Sequence, residues 1–179
     1  MKHNLRFGTH TYELEEFKFH LWIKESGVSD WTFEIYPPGT DNYIMINSID
    51  LGGIIEVPQF AGQKFSISEE LEGHTTYVDG ILRFLKTLNL NFGPYSQSTG
   101  KISMSGMGKI AAGDGARQPE IDYEFNGEAS WAGIVAFGTK EATCFEPIFK
   151  AYNRTVDQFD IVYKTSHDDF SCSALPRWH

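Results

Sequence analysis

The stretch Phe17-Lys18-Phe19-His20-Leu21-Trp22-Ile23-Lys24 determines the fold class of this chain. Its odd-numbered positions are apolar, whereas its even-numbered positions carry two lysines, a histidine and a tryptophan. Side chains of a β-strand alternate between two faces, so this period of two predicts a strand with one buried side. Upstream, Tyr12 and Leu14 are apolar at even positions, and the phase reverses at Glu15-Glu16, which indicates a β-bulge or a break.

A second strand follows after a short turn. The segment 31–36 alternates in the same way, and Glu25-Ser26-Gly27 between the two segments is a turn signal. Two such segments predict an antiparallel hairpin. His20, Trp22 and Tyr36 then fall on the polar side of the hairpin, where exposed apolar area rimmed by charge often marks an interaction site. We therefore predict these three side chains as binding residues; the alternative is that a helix covers this face.

Further strands are expected along the rest of the chain. Alternation or short apolar runs predict them at 43–49, at 54–57, at 64–67, from Lys101 onward and at 121–125. The segment Gly93–Gly100 predicts a loop. Asn126-Gly127 is typical of a two-residue type I′ turn and predicts a hairpin. The segment Ala129–Gly138 is apolar at both parities, which predicts a central strand covered on both faces.

Residues 79–88 are compatible with two structures. Helical spacing is shown by Ile81, Leu82, Leu85 and Leu88, and Asp79 is a possible N-cap. Val78-Asp79-Gly80-Ile81 is also a good two-residue hairpin turn. We predict a short helix here.

A second helical stripe lies nearer the C-terminus, with Thr143 as a possible cap and Pro147 in the first turn. Its apolar positions are Phe145, Phe149, Tyr152, Val156 and Phe159. Alternation over 159–163 then predicts a last strand.

These signals together predict one β-rich domain over residues 1–165, followed by a tail over 166–179. Short strands joined by turns, with one or two short helices, indicate an antiparallel β-barrel or β-sandwich. A chain of 179 residues is long enough to bury a core without staples.

The net charge of the chain indicates which classes of partner it can bind. The chain has 15 basic and 24 acidic residues, so its formal net charge is −9. A negative chain repels nucleic-acid phosphate, and we expect no nucleic-acid partner.

The longest apolar run, Trp131–Phe137, is too short to span a bilayer, and no apolar leader follows the N-terminus, so we expect no membrane association and a cytoplasmic location. Cys144 and Cys172 are expected to be reduced, with a disulfide as the alternative.

No motif for catalysis, a metal or a cofactor is convincing. The segment 106–111 spells G-x-G-x-x-A, but Gly113, Gly115 and Pro119 interrupt the helix that a dinucleotide site requires. We interpret it as a glycine-rich strand or bulge that allows backbones to approach closely. The six histidines do not recur at spacings that place two on one metal; they are His3, His10, His20, His74, His167 and His179.

The sequence thus favours a small acidic, non-catalytic binding protein. We expect a protein partner, possibly basic, and a role such as inhibitor or immunity-like antagonist of that partner. The first alternative is a barrel that binds a small hydrophobic ligand, lined by Trp131, Val135 and Phe137. The second is an enzyme whose site is assembled from distant strands.

Overall fold

The computed structural model describes most of the chain, namely residues 3–14, 17–23, 29–49, 57–68, 75–112, 118–137, 155–165 and 170–177, with Phe145, Glu146 and Phe149. Their strands form one large, mostly antiparallel sheet that includes a ring, which confirms the predicted fold class. Short 3-10 helices at Val57–Phe60 and Val156–Gln158 accompany the strands. In this part of the chain, no helix is long and apolar enough to cross a membrane.

The strands are numbered in chain order. They are β1 (Asn4–Phe7), β2 (His10–Glu13), β3 (Phe17–Ile23), β4 (Ser29–Ile35), β5 (Tyr43–Ile49), β6 (Lys64–Ile67), β7 (Thr75–Val78), β8 (Ile81–Ser96), β9 (Lys101–Ile110), β10 (Ile121–Phe137), β11 (Phe159–Thr165) and β12 (Phe170–Pro176). The predicted strands at 43–49 and 64–67 are therefore confirmed, as is the antiparallel hairpin of β3 with β4.

The ring is closed by β9 and β10. Starting from β10, the neighbours are β3, β4, β5, β7, β8 and β9, and β9 pairs again with β10. Every pair in the ring is antiparallel except β3 with β10, which run parallel from the Phe17–Ala129 pair to the Ile23–Ala136 pair. The remaining strands extend the sheet outside the ring.

Strand β10 pairs with four different strands, because its neighbours change along its length. Its first half lies between β1 and β9, and its second half lies between β3 and β12. The prediction that Ala129–Gly138 is a central strand is confirmed for the portion that the structure describes.

Aromatic rings fill the interior of the ring of strands. Phe19, Trp31, Phe33, Phe60 and Phe92 are each at most 3% exposed. Their contacting centroids lie 4.8 to 6.4 Å apart. Such edge-to-face and offset contacts add to the gain from burial. The odd positions of β3, predicted to be apolar and inward, thus meet the core.

The helix predicted over 79–88 is wrong, because this segment forms the turn and the first half of β8. Val78 pairs with Ile81, and the two residues between them, Asp79 and Gly80, have φ of 53° and 80°. Positive φ at both central positions defines the type I′ turn, which suits the twist of a two-residue hairpin.

The helical spacing of the leucines in β8 has a different cause. The pairing of β8 with β9 shifts register between Leu85 and Thr87, so one extra residue, Lys86, is inserted. Before the shift the odd positions are buried, and after it the even ones are. Leu85 and Leu88 therefore share a face at a separation of three residues without forming a helix.

The type I′ turn predicted at Asn126-Gly127 is also wrong, since both residues lie inside β10. Asn126 pairs with Ser105 of β9 on one side and with Asn4 of β1 on the other. A Cβ on Gly127 would lie 2.8 Å from Cε1 of Phe17, so packing against the start of β3 requires this glycine.

Of two further expectations, one is partly wrong and one is confirmed. The loop predicted over Gly93–Gly100 is wrong at its start, because β8 continues to Ser96 and the turn occupies 97–100. The glycine-rich strand interpretation of 106–111 is confirmed, since Gly106 and Gly108 lie in β9.

Several expectations fall wholly or partly outside the described residues. These are the phase reversal at Glu15-Glu16, the strand at 54–57 before Val57, the turn at 25–27, Cys144, and the helical stripe at Thr143, Pro147 and Tyr152. Val156 lies in a 3-10 helix and Phe159 begins β11, which confirms the strand expected there. Strand β12 comes from the segment that the sequence assigns to a tail.

Candidate functional site

A partly exposed row of large side chains extends from the end of β4 across β5 and β7 to β8 on the outer face of the ring. We call it the aromatic row, and its members are Tyr36, Tyr43, Tyr77, Leu82 and Phe84. The pairings Tyr43–Tyr77 and Tyr77–Leu82 place the side chains side by side across β5, β7 and β8. Phe84 lies two residues beyond Leu82 and therefore on the same face.

The tyrosines of the aromatic row contact one another. The ring centroids of Tyr36 and Tyr43 are 5.3 Å apart, and Tyr43 stacks on Tyr77 at 5.9 Å with an interplanar angle of 8°. Leu82 and Phe84 are 55% and 54% exposed, and Tyr36 is 44% exposed. The row is thus preorganised by its own contacts and still open to solvent.

The phenol of Tyr36 is neutral at physiological pH. Burial of the hydroxyl, the nearby Glu34 carboxylate and Tyr43 together raise the pKa of Tyr36 to about 12. Burial and a neighbouring negative charge both disfavour the phenolate. The row therefore presents apolar rings and protonated hydroxyl groups.

Acidic residues lie beside the aromatic row, from β4 to the turn between β7 and β8. Asp41 and Asp79 are exposed in the loops that flank Tyr43 and Tyr77, and Glu34 precedes Tyr36 by two residues on the same face. The two loops are held together by Asn42, whose Oδ1 accepts a hydrogen bond from the backbone N–H of Asp79 at 2.9 Å. Asn42 Nδ2 donates in turn to the hydroxyl of Tyr12 at 2.7 Å.

A charge pair lies beyond Phe84 on β8. The Lys86 ammonium, two residues after Phe84, donates to the carboxylate of Glu120. The exposed apolar area is therefore rimmed by charged groups, and the carboxylates of Glu34, Asp41 and Asp79 give that rim a negative side.

The predicted residues His20 and Trp22 form a second cluster on the same outer face. Their rings stack with centroids 5.3 Å apart and an interplanar angle of 17°. Trp22 pairs with Val135 of β10 on one side and with Asp30 of β4 on the other. The structure thus brings His20, Trp22 and Val135 together.

The His20 imidazole is buried and neutral. It is 7% exposed, and burial lowers the pKa of His20 to about 4. Its Nε2 lies 3.6 Å from Oε1 of Glu34, which is beyond hydrogen-bond distance. A nearby carboxylate favours the charged imidazolium, but desolvation is the larger effect here. At neutral pH the pair is therefore a polar contact and not an ion pair.

Tyr36 belongs to the aromatic row and not to the His20–Trp22 cluster. Both lie on the face that the sequence predicts for them, but Trp22 pairs with Asp30, and Tyr36 follows six residues later. Six residues of strand span about 20 Å. The alternation correctly indicates the shared face and gives no information about this separation.

The remaining predicted residues, Trp131, Val135 and Phe137, belong to β10. Trp131 contacts Phe159 edge to face at 6.1 Å, and its Nε1 donates to the carbonyl of Gly133 across the irregularity in β10. Val135 is partly buried beside Trp22. Phe137 ends β10, and its side chain lies outside the described part of the structure.

The sequence interpretation missed Tyr43, Tyr77, Leu82 and Phe84. The signal for them was the Asp79-Gly80 turn, because the hairpin that it defines sets Tyr77 opposite Leu82. The helix predicted for this segment assigned Leu82 to a buried stripe instead.

No group of three or more His, Cys, Asp or Glu side chains among the described residues could hold a metal ion. Comparisons of the chain with protein-family models, with curated proteins and with solved structures find no match.

Proposed function

We propose that this chain is a non-catalytic binding protein that docks a basic protein partner on the aromatic row. One observation carries the proposal: Leu82, Phe84 and Tyr36 are each about half exposed, and Tyr43 and Tyr77 connect Tyr36 to Leu82 across neighbouring strands of one sheet. Exposed apolar area of this kind, rimmed by charge, is characteristic of protein interfaces.

The composition of the row suits a protein partner. Tyrosine buries a large ring at low conformational cost and keeps a hydroxyl for hydrogen bonding, so it is enriched at interfaces. Stacking of Tyr43 on Tyr77 further limits the freedom that binding would remove. Complete burial of a leucine or phenylalanine contributes roughly 1.5–3 kcal/mol, and about half of that area is still available at Leu82 and Phe84.

The charge of the chain supports a basic partner. The net charge is −9, and Glu34, Asp41 and Asp79 lie beside the row. Such a field accelerates encounter with a positive surface and disfavours acidic partners. An inhibitor or immunity-like antagonist would act in this way, by covering a basic surface of its target.

The alternative of a small hydrophobic ligand has less support. The interior positions of β3, β4 and β8 are occupied by Phe19, Phe33 and Phe92, which contact one another or Phe60. A ligand would have to displace packed rings, and interiors of this density resist such changes.

Site-specific photocrosslinking tests the proposal. A benzophenone amino acid replaces Phe84 in the row, or Met107 as a matched control, since Met107 is 50% exposed and lies on β9 outside the row. In living host cells we expect one discrete adduct from position 84 whose second polypeptide, identified by mass spectrometry, has a basic isoelectric point. The control position is expected to give no such adduct.

Two results would overturn the proposal. One is the same set of adducts from both positions, which indicates non-specific contact. The other is a discrete adduct from position 84 that persists in the Leu82→Asp variant, because a charge between Tyr77 and Phe84 should abolish docking there.

A further inference from the structure

Strand β11 lies at the end of the sheet. Its inner edge pairs with β12 from Phe159–Pro176 to Thr165–Phe170, and no described strand pairs with its outer edge. The segment is Phe-Asp-Ile-Val-Tyr-Lys-Thr, without glycine or proline. Val162 and Tyr163, on opposite faces of the strand, are 36% and 52% exposed. An edge of this length and composition is a template for another strand.

The odd-numbered residues of β11 direct their backbone N–H and C=O groups away from β12. Arg177 N–H donates to the carbonyl of Gln158 at 2.9 Å, so the even-numbered residue 158 directs its backbone toward β12. Backbone groups alternate in direction along a strand, so the odd positions 159, 161, 163 and 165 direct theirs to the outer edge. Pro176 opposite Phe159 agrees with this assignment, because that pair needs no N–H from the proline.

The sequence of β11 is complementary to itself in antiparallel pairing. When two copies align about Val162, Ile161 lies opposite Tyr163, and both residues direct their backbone groups to the partner. The same register sets Asp160 of each copy opposite Lys164 of the other. Opposite charges across a strand pair are stabilising, and registers shifted by two residues lose both charge pairs.

We infer that β11 pairs with β11 of a second copy of this chain and forms a twofold symmetric dimer with one continuous sheet. The symmetry axis passes beside Val162, which is the isologous arrangement that homodimers favour. The contact joins the open end of the sheet and leaves the aromatic row on β4, β5, β7 and β8 uncovered. It is therefore independent of the proposed binding function.

Molar mass in solution tests the dimer. Size-exclusion chromatography with light scattering is expected to give twice the 20.3 kDa of one chain. The Lys164→Asp variant sets two aspartates opposite each other at both ends of the contact, and the dimer dissociation constant is expected to rise about tenfold or more. The matched control Lys64→Asp makes the same charge change on exposed β6, and its dimer is expected to remain unchanged.

A charge exchange separates loss of pairing from loss of folding. Asp160→Lys with Lys164→Asp restores opposite charges in the same register, and the double variant is expected to dimerise again. Asp160 also accepts from Arg177 Nε at 2.7 Å within the chain, but this pair is exposed and contributes little. A wild-type monomer at every concentration reached, an unchanged dimer in Lys164→Asp, or a double variant that folds and stays monomeric would each overturn the inference.

Discussion

The buried imidazole of His20 links a single residue to the pH dependence of the whole fold. It stacks on Trp22, and burial lowers its pKa from 6.5 to about 4. Between these two pH values the unfolded chain binds a proton that the folded chain does not bind. The free energy of unfolding therefore falls as the pH decreases from 6.5 toward 4, and His20 has no such effect above 6.5.

The His20→Gln variant is expected to lose this part of the pH dependence. Between pH 7 and pH 4.5 the wild type should lose roughly 2–3 kcal/mol more than the variant, in proportion to the lowered pKa. Urea unfolding of both proteins across this range measures the difference. Parallel stability curves for the two proteins would contradict the prediction.

Gly108 provides a second prediction at the residue scale. A Cβ there would overlap the carbonyl oxygen of Thr87 and lie 2.9 Å from the hydroxyl of Tyr123, which itself donates to that carbonyl at 2.9 Å. Gly108→Ala is expected to cost about 3 kcal/mol or more, because backbone atoms must move. Tyr123→Phe should cost only about 1 kcal/mol, the contribution of one hydrogen bond.

Chemical denaturation compares the two variants, with Ser105→Ala on the same strand as the control. A Gly108→Ala protein as stable as Ser105→Ala would show that the contact with Thr87 is not a constraint.

At the scale of elements, β8 shows what a sequence pattern can and cannot give. The alternation of β3 and β4 predicted both strands and their pairing, because each has a single uninterrupted phase. In β8 an inserted residue changes the phase after Leu85, and the resulting spacing is indistinguishable from a helical one. In the same way, Asn126-Gly127 resembles a turn, although the glycine is needed for close packing against Phe17.

The turn between β7 and β8 gives a prediction at this scale. No atom lies within 4 Å of a Cβ built on Gly80, so Gly80→Ala carries only the cost of a positive φ, about 1 kcal/mol. Asp79→Asn is the control, since asparagine tolerates positive φ, and its stability is expected to equal or slightly exceed that of the wild type. Equal stability of Gly80→Ala and wild type in urea unfolding would argue against the type I′ turn.

At the scale of the whole molecule, closure of the ring was not predictable from the sequence. Alternation shows which side of a strand is buried but not which strand lies beside it. The parallel pairing of β3 with β10 joins segments separated by most of the chain, and no local signal encodes it. The same limit applies to the aromatic row: the face of Tyr36 could be predicted, whereas its neighbours on β5, β7 and β8 depend on the order of strands.

Ring closure leads to a prediction about folding kinetics. Contacts distant in sequence form late, because the cost of closing a long loop comes before the gain from the contact. We expect refolding in milliseconds to seconds. Leu21→Ala in β3 should mainly accelerate unfolding, whereas Gly80→Ala in the local hairpin should mainly slow folding. Stopped-flow tryptophan fluorescence measures the folding and unfolding rates of both variants. If Leu21→Ala slowed folding and Gly80→Ala accelerated unfolding, the ring would close before the hairpin forms.

The position of Asn126-Gly127 inside β10 also affects how fast Asn126 deamidates. Asparagine before glycine deamidates readily in mobile chains, because the glycine nitrogen attacks the side-chain carbonyl, ammonia leaves, and water opens the resulting succinimide to aspartate or isoaspartate. In β10 the Asn126 amide donates to Oδ1 of Asn4 at 2.9 Å, and neighbouring strands hold the backbone extended on both sides. Aspartate or isoaspartate that accumulates at Asn126 during storage would therefore record how often β1 and β10 separate.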